Sequence, residues 1–299
     1  SALSVNDNCI DFYIKPGPVG KSASIDYHPK TSFIKLKNES ITVQDSVQKR
    51  LKIDRDWVLN KNNFNAYGEI IDTSDVDTLY RNIYDPSTFT GVVFKESLEK
   101  YGARVKTISK KKTSNKSYKK VSNHLSKPLI HSATNLMNES DNLTAELFVK
   151  SIGALDTLPG TWKVGLDSVK SFLAKEVLID TSNIRLADAS GVSRYNLTSA
   201  AQLNSLLKWM YNSEYKDDFI STLPGGGWEN STLEKRLIDE GDLVRAKTGG
   251  LSGVRNLAGY IKSKKYGDVA FSILMNGYTD YSSRYARVHD QIVKSIIYD

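Results

Sequence analysis

The sequence contains a single cysteine, Cys9, and only four histidines in 299 residues. One thiol excludes an intrachain disulfide and any cysteine-based metal cluster. Cys9 sits in an apolar, strand-like run, where it reads as a small buried side chain. His28, His124, His131 and His289 show neither HxH nor HExxH spacing, so no zinc site is expected. No apolar run approaches the roughly 20 residues that cross a bilayer, so no transmembrane segment is expected either. The opening SALSVNDN has no Met, basic region or apolar stretch. That is the expectation where a leader has been removed or the chain starts part-way through a longer protein. No internal repeat is visible.

What is present fits a folded globular protein: 39% hydrophobic and 25% charged residues, a balance that argues against wholesale disorder. The length allows one large or two smaller domains. A net charge of +7 favours an acidic partner such as nucleic acid, an anionic envelope polymer or a membrane surface. Much of the excess lies in SKKKTSNKSYKK at 109–120, which reads as a solvated loop or linker, with polyanion binding as the alternative. It lacks aromatic interleaving and any named motif, so no nucleic-acid partner is expected.

Short runs of strand character fill the first 75 residues: CIDFYIK, SIDYH, TSFIKLK, SITVQ, RLKID and DWVLN, separated by polar turns. A helix is predicted over TGVVFKESLEKYG (90–102), with Thr90 as cap, Phe94, Leu98 and Tyr101 as its stripe and Gly102 as its stop. The lysine run then marks a domain boundary, giving a β-rich module over 1–125 and a second domain over 126–299. In the second, Ala145, Phe148, Val149 and Ile152 predict one helix, ended by Gly153. Trp162, Leu166, Val169 and Leu173 predict another. Leu203, Leu206, Leu207 and Met210 predict a third, opened by a capping box of Ser199 and Gln202. LVRAKTGG, GVRNLAGYI and VAFSILMNGY read as antiparallel strands, with KSKKYGD as a turn. RYARVHDQIVKSIIY closes the chain as a helix with Tyr285, Val288, Ile292 and Ile296 on one stripe. The fold class is therefore α+β: a helical cluster and an antiparallel sheet flanked by helices, with a β-rich accessory module.

Two tripeptides carry the chemistry. Ser140-Asp141-Asn142 could simply cap a helix, and Lys247-Thr248-Gly249 could simply be a strand ending in a glycine turn. Together and in this order they match two of the three signatures S-x-x-K, S-D-N and K-T-G of penicillin-binding proteins and class A β-lactamases. The blocks SDNLTAELFVKSIG, PGTWKVGLDSVKSFL, LADASGVSRYNLTSAAQLNSLL, FISTLPGGG and VRAKTGGLSGVRNLAGYI resemble, in order and spacing, the D-alanyl-D-alanine carboxypeptidase/endopeptidase family, peptidase family S13, the class C low-molecular-mass penicillin-binding proteins. The similarity is strong over 126–299 and looser over 1–125, where that family inserts accessory domains.

The resemblance implies a penicillin-binding, β-lactamase-like domain. It also implies a serine DD-peptidase that cleaves the terminal D-Ala-D-Ala bond, and D-Ala cross-links, of peptidoglycan through an acyl-enzyme. Ser140 would relay a proton to the leaving amine, and Asn142 would hold a substrate amide. Lys247 would add positive charge, Gly249 would leave room for a substrate strand, and the N–H of Gly250 would be half of the oxyanion hole. Thr248 or Ser252 would grip the substrate carboxylate. The family usually carries Ser or Thr where this chain has Gly250, so one carboxylate contact is lost unless Thr248 or Ser252 replaces it. The implied partners are peptidoglycan stem peptides and β-lactams, with no cofactor, in the periplasm or outer cell envelope.

The S-x-x-K nucleophile precedes S-x-N by well over a hundred residues in that family. Ser32/Lys35, Ser46/Lys49, Ser97/Lys100, Ser109/Lys112 and Ser117/Lys120 have the spacing but not the helical context or domain position. The nucleophile is therefore expected on a segment missing from this chain, either upstream of it or on a separate chain. Within DASGVSR, Asp188, Ser190 and Arg194 read as a tied loop or as a cleft wall. Trp228 reads as a cleft edge or a turn residue. A β-lactamase or esterase with the same motifs, and a non-catalytic peptidoglycan- or partner-binding member of the fold, are the alternatives.

Overall fold

The computed structural model describes residues 3–45, 47–110, 120–156 and 159–298. The chain divides into two compact units, Ser1–Val121 and Ser122–Asp299. Ser46 and most of the lysine run lie outside the described residues, and with them the triplets that use Ser46, Lys112 and Ser117.

Among the described residues, six strands, one α-helix and a short 3-10 turn (Asn6–Asn8) build the first unit. Strands β1 (Cys9–Lys15), β2 (Ser24–His28) and β6 (Asp77–Asn82) form an antiparallel sheet in the order β2-β1-β6. A second sheet has the order β3-β5-β4, with β3 (Lys35–Val43) parallel to β5 (Asn63–Ile71) and β4 (Lys52–Arg55) antiparallel to it. Period-two alternation sends Ile10, Phe12 and Ile14 of β1 inward, where they meet Ile53, Phe64 and Ala66. Helix α1 (Pro86–Lys100) closes this core with Phe89, which is fully buried.

Several expectations fail in this unit. DWVLN is a turn, and it exposes Trp57, Val58 and Leu59. TSFIKLK and SITVQ share the single strand β3, which begins only at Lys35. The helix starts at Pro86, capped by Asp85, whose carboxylate accepts from the N–H of Thr88 at 3.3 Å. Thr90 lies inside it and donates to Pro86 O, while Phe94 and Tyr101 face solvent. The buried stripe is thus set by Phe89, with Val93 packed beside it.

The second unit is a helical cluster and a three-stranded antiparallel sheet. Helices α2 (Leu129–Asn135), α3 (Asn142–Asp156), α4 (Trp162–Lys175), α5 (Ala200–Tyr211) and α6 (Lys216–Thr222) precede the strands β7 (Val244–Leu251), β8 (Val254–Ser263) and β9 (Gly267–Asn276), and α7 (Ser282–Tyr298) follows. The strand order β7-β8-β9 leaves β7 at an edge. Both arms of the capping box form: the Gln202 N–H donates to Ser199 Oγ, and the Gln202 side chain accepts from the Ser199 N–H. Gly153 does not end α3. It lies inside the helix at its crossing with α4, where a Cβ on Gly165 would stand 2.0 Å from the carbonyl oxygen of Val149.

One face of the sheet presents Val244, Ala246, Leu257 and Ile261 to Val293 and Ile297 of α7. On the other face Tyr260 packs with Leu207 of α5, and its hydroxyl donates to the Leu207 carbonyl at 2.7 Å. The α7 stripe is shifted by one residue along the chain from the expected one. Its buried residues are Ala286, His289, Val293 and Ile297, while Val288 is 39% exposed. A fully buried histidine breaks the apolar pattern from which the stripe is read.

Candidate active site

Ser140 ends a π-helical turn, Leu136–Ser140, that continues α2, and it adopts the left-handed backbone conformation at φ 61°. Asp141 then caps α3: its carboxylate accepts from the N–H of Leu143 at 2.9 Å and from the hydroxyl of Thr144. Asn142 is the first helical residue and is exposed. Cap and candidate catalytic groups therefore occupy consecutive positions, and Asp141, between Ser140 and Asn142, makes the cap. The turn is held from a second direction by Thr232, whose N–H donates to Asn138 O at 3.0 Å.

Lys247 lies on β7, opposite Ala258 of β8. Its ammonium donates to Ser140 Oγ at 2.8 Å and to the carbonyl of Thr248 at 3.1 Å. Burial disfavours the charged amine and pulls its pKa from 10.5 down to about 8. At neutral pH it is still mainly an ammonium, but one close to losing its proton. Ser140 and Lys247, far apart in sequence, thus form one hydrogen-bonded pair.

The strand alternation fixes what lies beside them. The N–H of Ala246 donates away from β8, to Pro224 O at 3.0 Å. With a two-residue period, the N–H groups of Thr248 and Gly250 point off the same free edge. Gly249 faces Asn256, with room for a Cβ at 3.5 Å from that side chain. Ser252 is exposed in the β7–β8 turn, and its carbonyl accepts from Arg194 at 2.7 Å.

The DASGVSR loop separates into two roles. Asp188 accepts from the N–H groups of Gly191 and Ser193 and from Asn196, and is a structural tie. Glu146 of α3, which the sequence reading passes over, accepts from the N–H groups of Ala189 and Ser190 and fastens the loop to the helix behind Ser140. Arg194 instead reaches the end of the candidate site. Trp228 is not a free turn residue. Its indole N–H donates to Asp242 at 3.1 Å, and Arg245 lies over its ring at 4.0 Å.

Two further Ser-x-x-Lys triplets occur in this unit, Ser205/Lys208 and Ser213/Lys216, and neither hydrogen-bonds to Ser140 or Lys247. Ser213 donates to Met210 O, and Lys216 lies over the ring of Tyr211. Among the described residues no helix is long and apolar enough to cross a membrane, and no cluster of three His, Cys, Asp or Glu could hold a metal ion.

A sequence profile of the D-Ala-D-Ala carboxypeptidase 3 (S13) family matches residues 1–295. A D-alanyl-D-alanine carboxypeptidase of an Actinomadura species is 30% identical over 276 residues, covering 89% of this chain and 50% of that protein. The D-alanyl-D-alanine carboxypeptidase DacB of Haemophilus influenzae is 34% identical over 160 residues, covering 52% of this chain and 33% of that protein. The crystal structure of penicillin binding protein 4 from Haemophilus influenzae, complexed with a β-lactam, superposes with a TM-score of 0.80 at 22% identity, covering 100% of this chain and 71% of that one. The α+β, penicillin-binding/β-lactamase-like fold is the same. The chain spans about half the length, or less, of these two carboxypeptidases.

Proposed function

The chain belongs to the D-Ala-D-Ala carboxypeptidase 3 (S13) family, and from that premise we propose that it forms most of an extracytoplasmic serine DD-peptidase acting on peptidoglycan stem peptides. In this reading 126–299 is the penicillin-binding domain, 1–125 is an accessory module, and the nucleophilic serine with its S-x-x-K lysine belongs to a segment outside these residues. The family assignment favours a peptidase over the β-lactamase, esterase and non-catalytic readings.

The observation that carries the proposal is the 2.8 Å hydrogen bond between Lys247 Nζ and Ser140 Oγ, at a sheet edge whose free N–H groups include that of Gly250. A serine Oγ attacking the D-Ala-D-Ala carbonyl passes its proton to the S-x-x-K lysine. The developing oxyanion takes the Gly250 N–H as one donor. The C–N bond then breaks. Ser140 relays the proton from that lysine to the departing D-alanine amine, giving up its own proton as it takes the lysine's. This releases the amine and leaves an acyl-enzyme for water to open. The Lys247 ammonium keeps Ser140 oriented through the cycle and raises the positive potential along β7, which favours a substrate ending in a carboxylate. Asn142, exposed at the start of α3, holds a substrate amide; Gly249 leaves the approach open; Thr248 and Ser252 contact the carboxylate end. A β-lactam carries a strained amide and a carboxylate and acylates the same serine.

Labelling the full-length protein with a fluorescent penicillin tests the reading. A covalent adduct, together with release of D-alanine from an acyl-D-Ala-D-Ala peptide, is the expected result. Absence of both overturns the enzyme class, and unchanged turnover in Ser140→Ala and Lys247→Ala overturns the site.

A further inference from the structure

Gly250 and Arg255 are direct cross-strand partners on β7 and β8. Because the backbone polar groups of Gly250 point off the free edge, this is a non-hydrogen-bonded pair, the kind that brings opposed side chains closest. Paired residues share a face, so Thr248, Gly250 and Arg255 lie on the α7 side of the sheet with Leu257, while Lys247 lies on the other side. The side chain of Arg255 fills the space that a side chain at 250 would take. A Cβ built on Gly250 would stand 3.2 Å from Arg255 Nη1.

That guanidinium lacks a partner. It is partly buried, its Nε is fully enclosed without an acceptor, and no carboxylate or carbonyl among the described residues takes a hydrogen bond from it. Asp290, whose charge favours the guanidinium, is engaged by Arg236, which donates to it from Nη2 at 2.7 Å and from Nε at 3.2 Å. Arg236 itself repels Arg255, and His289 beside them is held neutral. A cation desolvated in this way and left unpaired is unfavourable until an anion arrives. An arginine fork matches a carboxylate in two parallel hydrogen bonds, where a hydroxyl offers one.

We infer that Arg255 is the residue that binds the C-terminal carboxylate of the substrate, reaching from β8 over Gly250 to do what a side chain on β7 at 250 cannot. The carboxylate lies just past the Gly250 N–H, between the Thr248 hydroxyl and the guanidinium. Glycine at 250 is then a requirement of this grip, because a larger residue would meet Arg255. The inference rests on the DD-peptidase reading, and it adds the group that selects for a free carboxylate.

The test compares kcat/KM of the full-length protein on an acyl-D-Ala-D-Ala peptide and on the same peptide amidated at its C-terminus. Wild type favours the acid, and Arg255→Met lowers that preference by roughly 10- to 100-fold, the worth of a charge-assisted hydrogen bond. Arg255→Lys retains part of it. Adding Gly250→Thr to Arg255→Met restores part of it through the new hydroxyl, which a merely structural role for Arg255 would not produce. An unchanged acid-over-amide preference in Arg255→Met, or an equal loss on both peptides with no rescue by Gly250→Thr, overturns the inference alone. A wild-type protein that cleaves neither peptide overturns the DD-peptidase reading and takes this inference with it.

Discussion

The first unit buries Asn8, Thr31, Ser40 and Thr42, all neutral, while the second buries Glu240 and His289 alongside Thr222 and Ser263. In the first, Ser40 Oγ accepts from the N–H of Ala23, and Thr42 Oγ1 from the N–H of Gly17. These groups stitch loops to a single apolar core. In the second, the core is split into three clusters, and this unit also holds the groups whose ionisation is moved furthest: Lys247 down to about 8, His289 down to about 4, Tyr260 up to about 12. Desolvation is the first cause of all three. Ionisable groups pushed out of water in this way gather at working sites more often than in scaffolds; of these three, Lys247 stands on the edge strand, Tyr260 packs on α5 and His289 lies on α7.

The largest expected effect would break this contrast if it failed. Lys247→Ala should lower the rate of acylation by a fluorescent penicillin by about 10²- to 10⁴-fold, the usual worth of a positioned proton-transfer group, with Ser140→Ala in the same range. Thermal melting should stay near that of wild type, because neither side chain belongs to a core. A melting shift without a rate loss would place both residues in the scaffold. The opposite pattern is expected of Phe89→Ala in the first unit. Removing a fully buried aromatic should cost about 3–5 kcal/mol in urea unfolding, with acylation per folded molecule unchanged.

His289 gives a sharper test, since it is titratable and yet stands on the α7 face, away from Lys247. Its folded pKa of about 4 lies below the unfolded 6.5, so its contribution is complete above pH 6.5 and is lost as the pH falls towards 4. That loss amounts to about 3 kcal/mol. Urea unfolding at pH 7 and pH 4 should show this drop in wild type and a smaller one in His289→Leu. Equal drops would remove His289 from the account. The smallest expected effect is that of Gly165→Ala, about 1–3 kcal/mol of overpacking where α4 meets Val149 O. Differential scanning calorimetry would detect it.

How legible these features were depended on whether the signal is local. The strands around KTGG alternate for ten residues, and the capping box at Ser199 is read within four, so both were visible in the sequence. β5 and β6 were not, because the alternation of NFNAYGEII is broken at Gly68 and Glu69 and DTLYRN is largely polar. β5 becomes a central strand only through β3 and β4 on either side of it. The helix at 86–100 begins before the expected Thr90, because Asp85-Pro86 supplies its start. For the candidate site, two tripeptides carried Ser140 and Lys247, which the fold brings within hydrogen-bond distance. Arg255 left a subtler trace: an arginine five residues after a glycine that replaces Ser or Thr, across a tight hairpin. Only the register of that hairpin makes the two positions neighbours.

Ser140 occupies a backbone conformation, φ 61°, in which a residue with a Cβ is less stable than glycine by about 1–2 kcal/mol. The most stable residue for this turn is therefore not the one that the proposed mechanism needs. Glycine at 140 would relax the loop and remove the hydroxyl in a single codon change. If Ser140 relays the proton as proposed, selection or engineering for thermal tolerance alone would drift towards a silent protein.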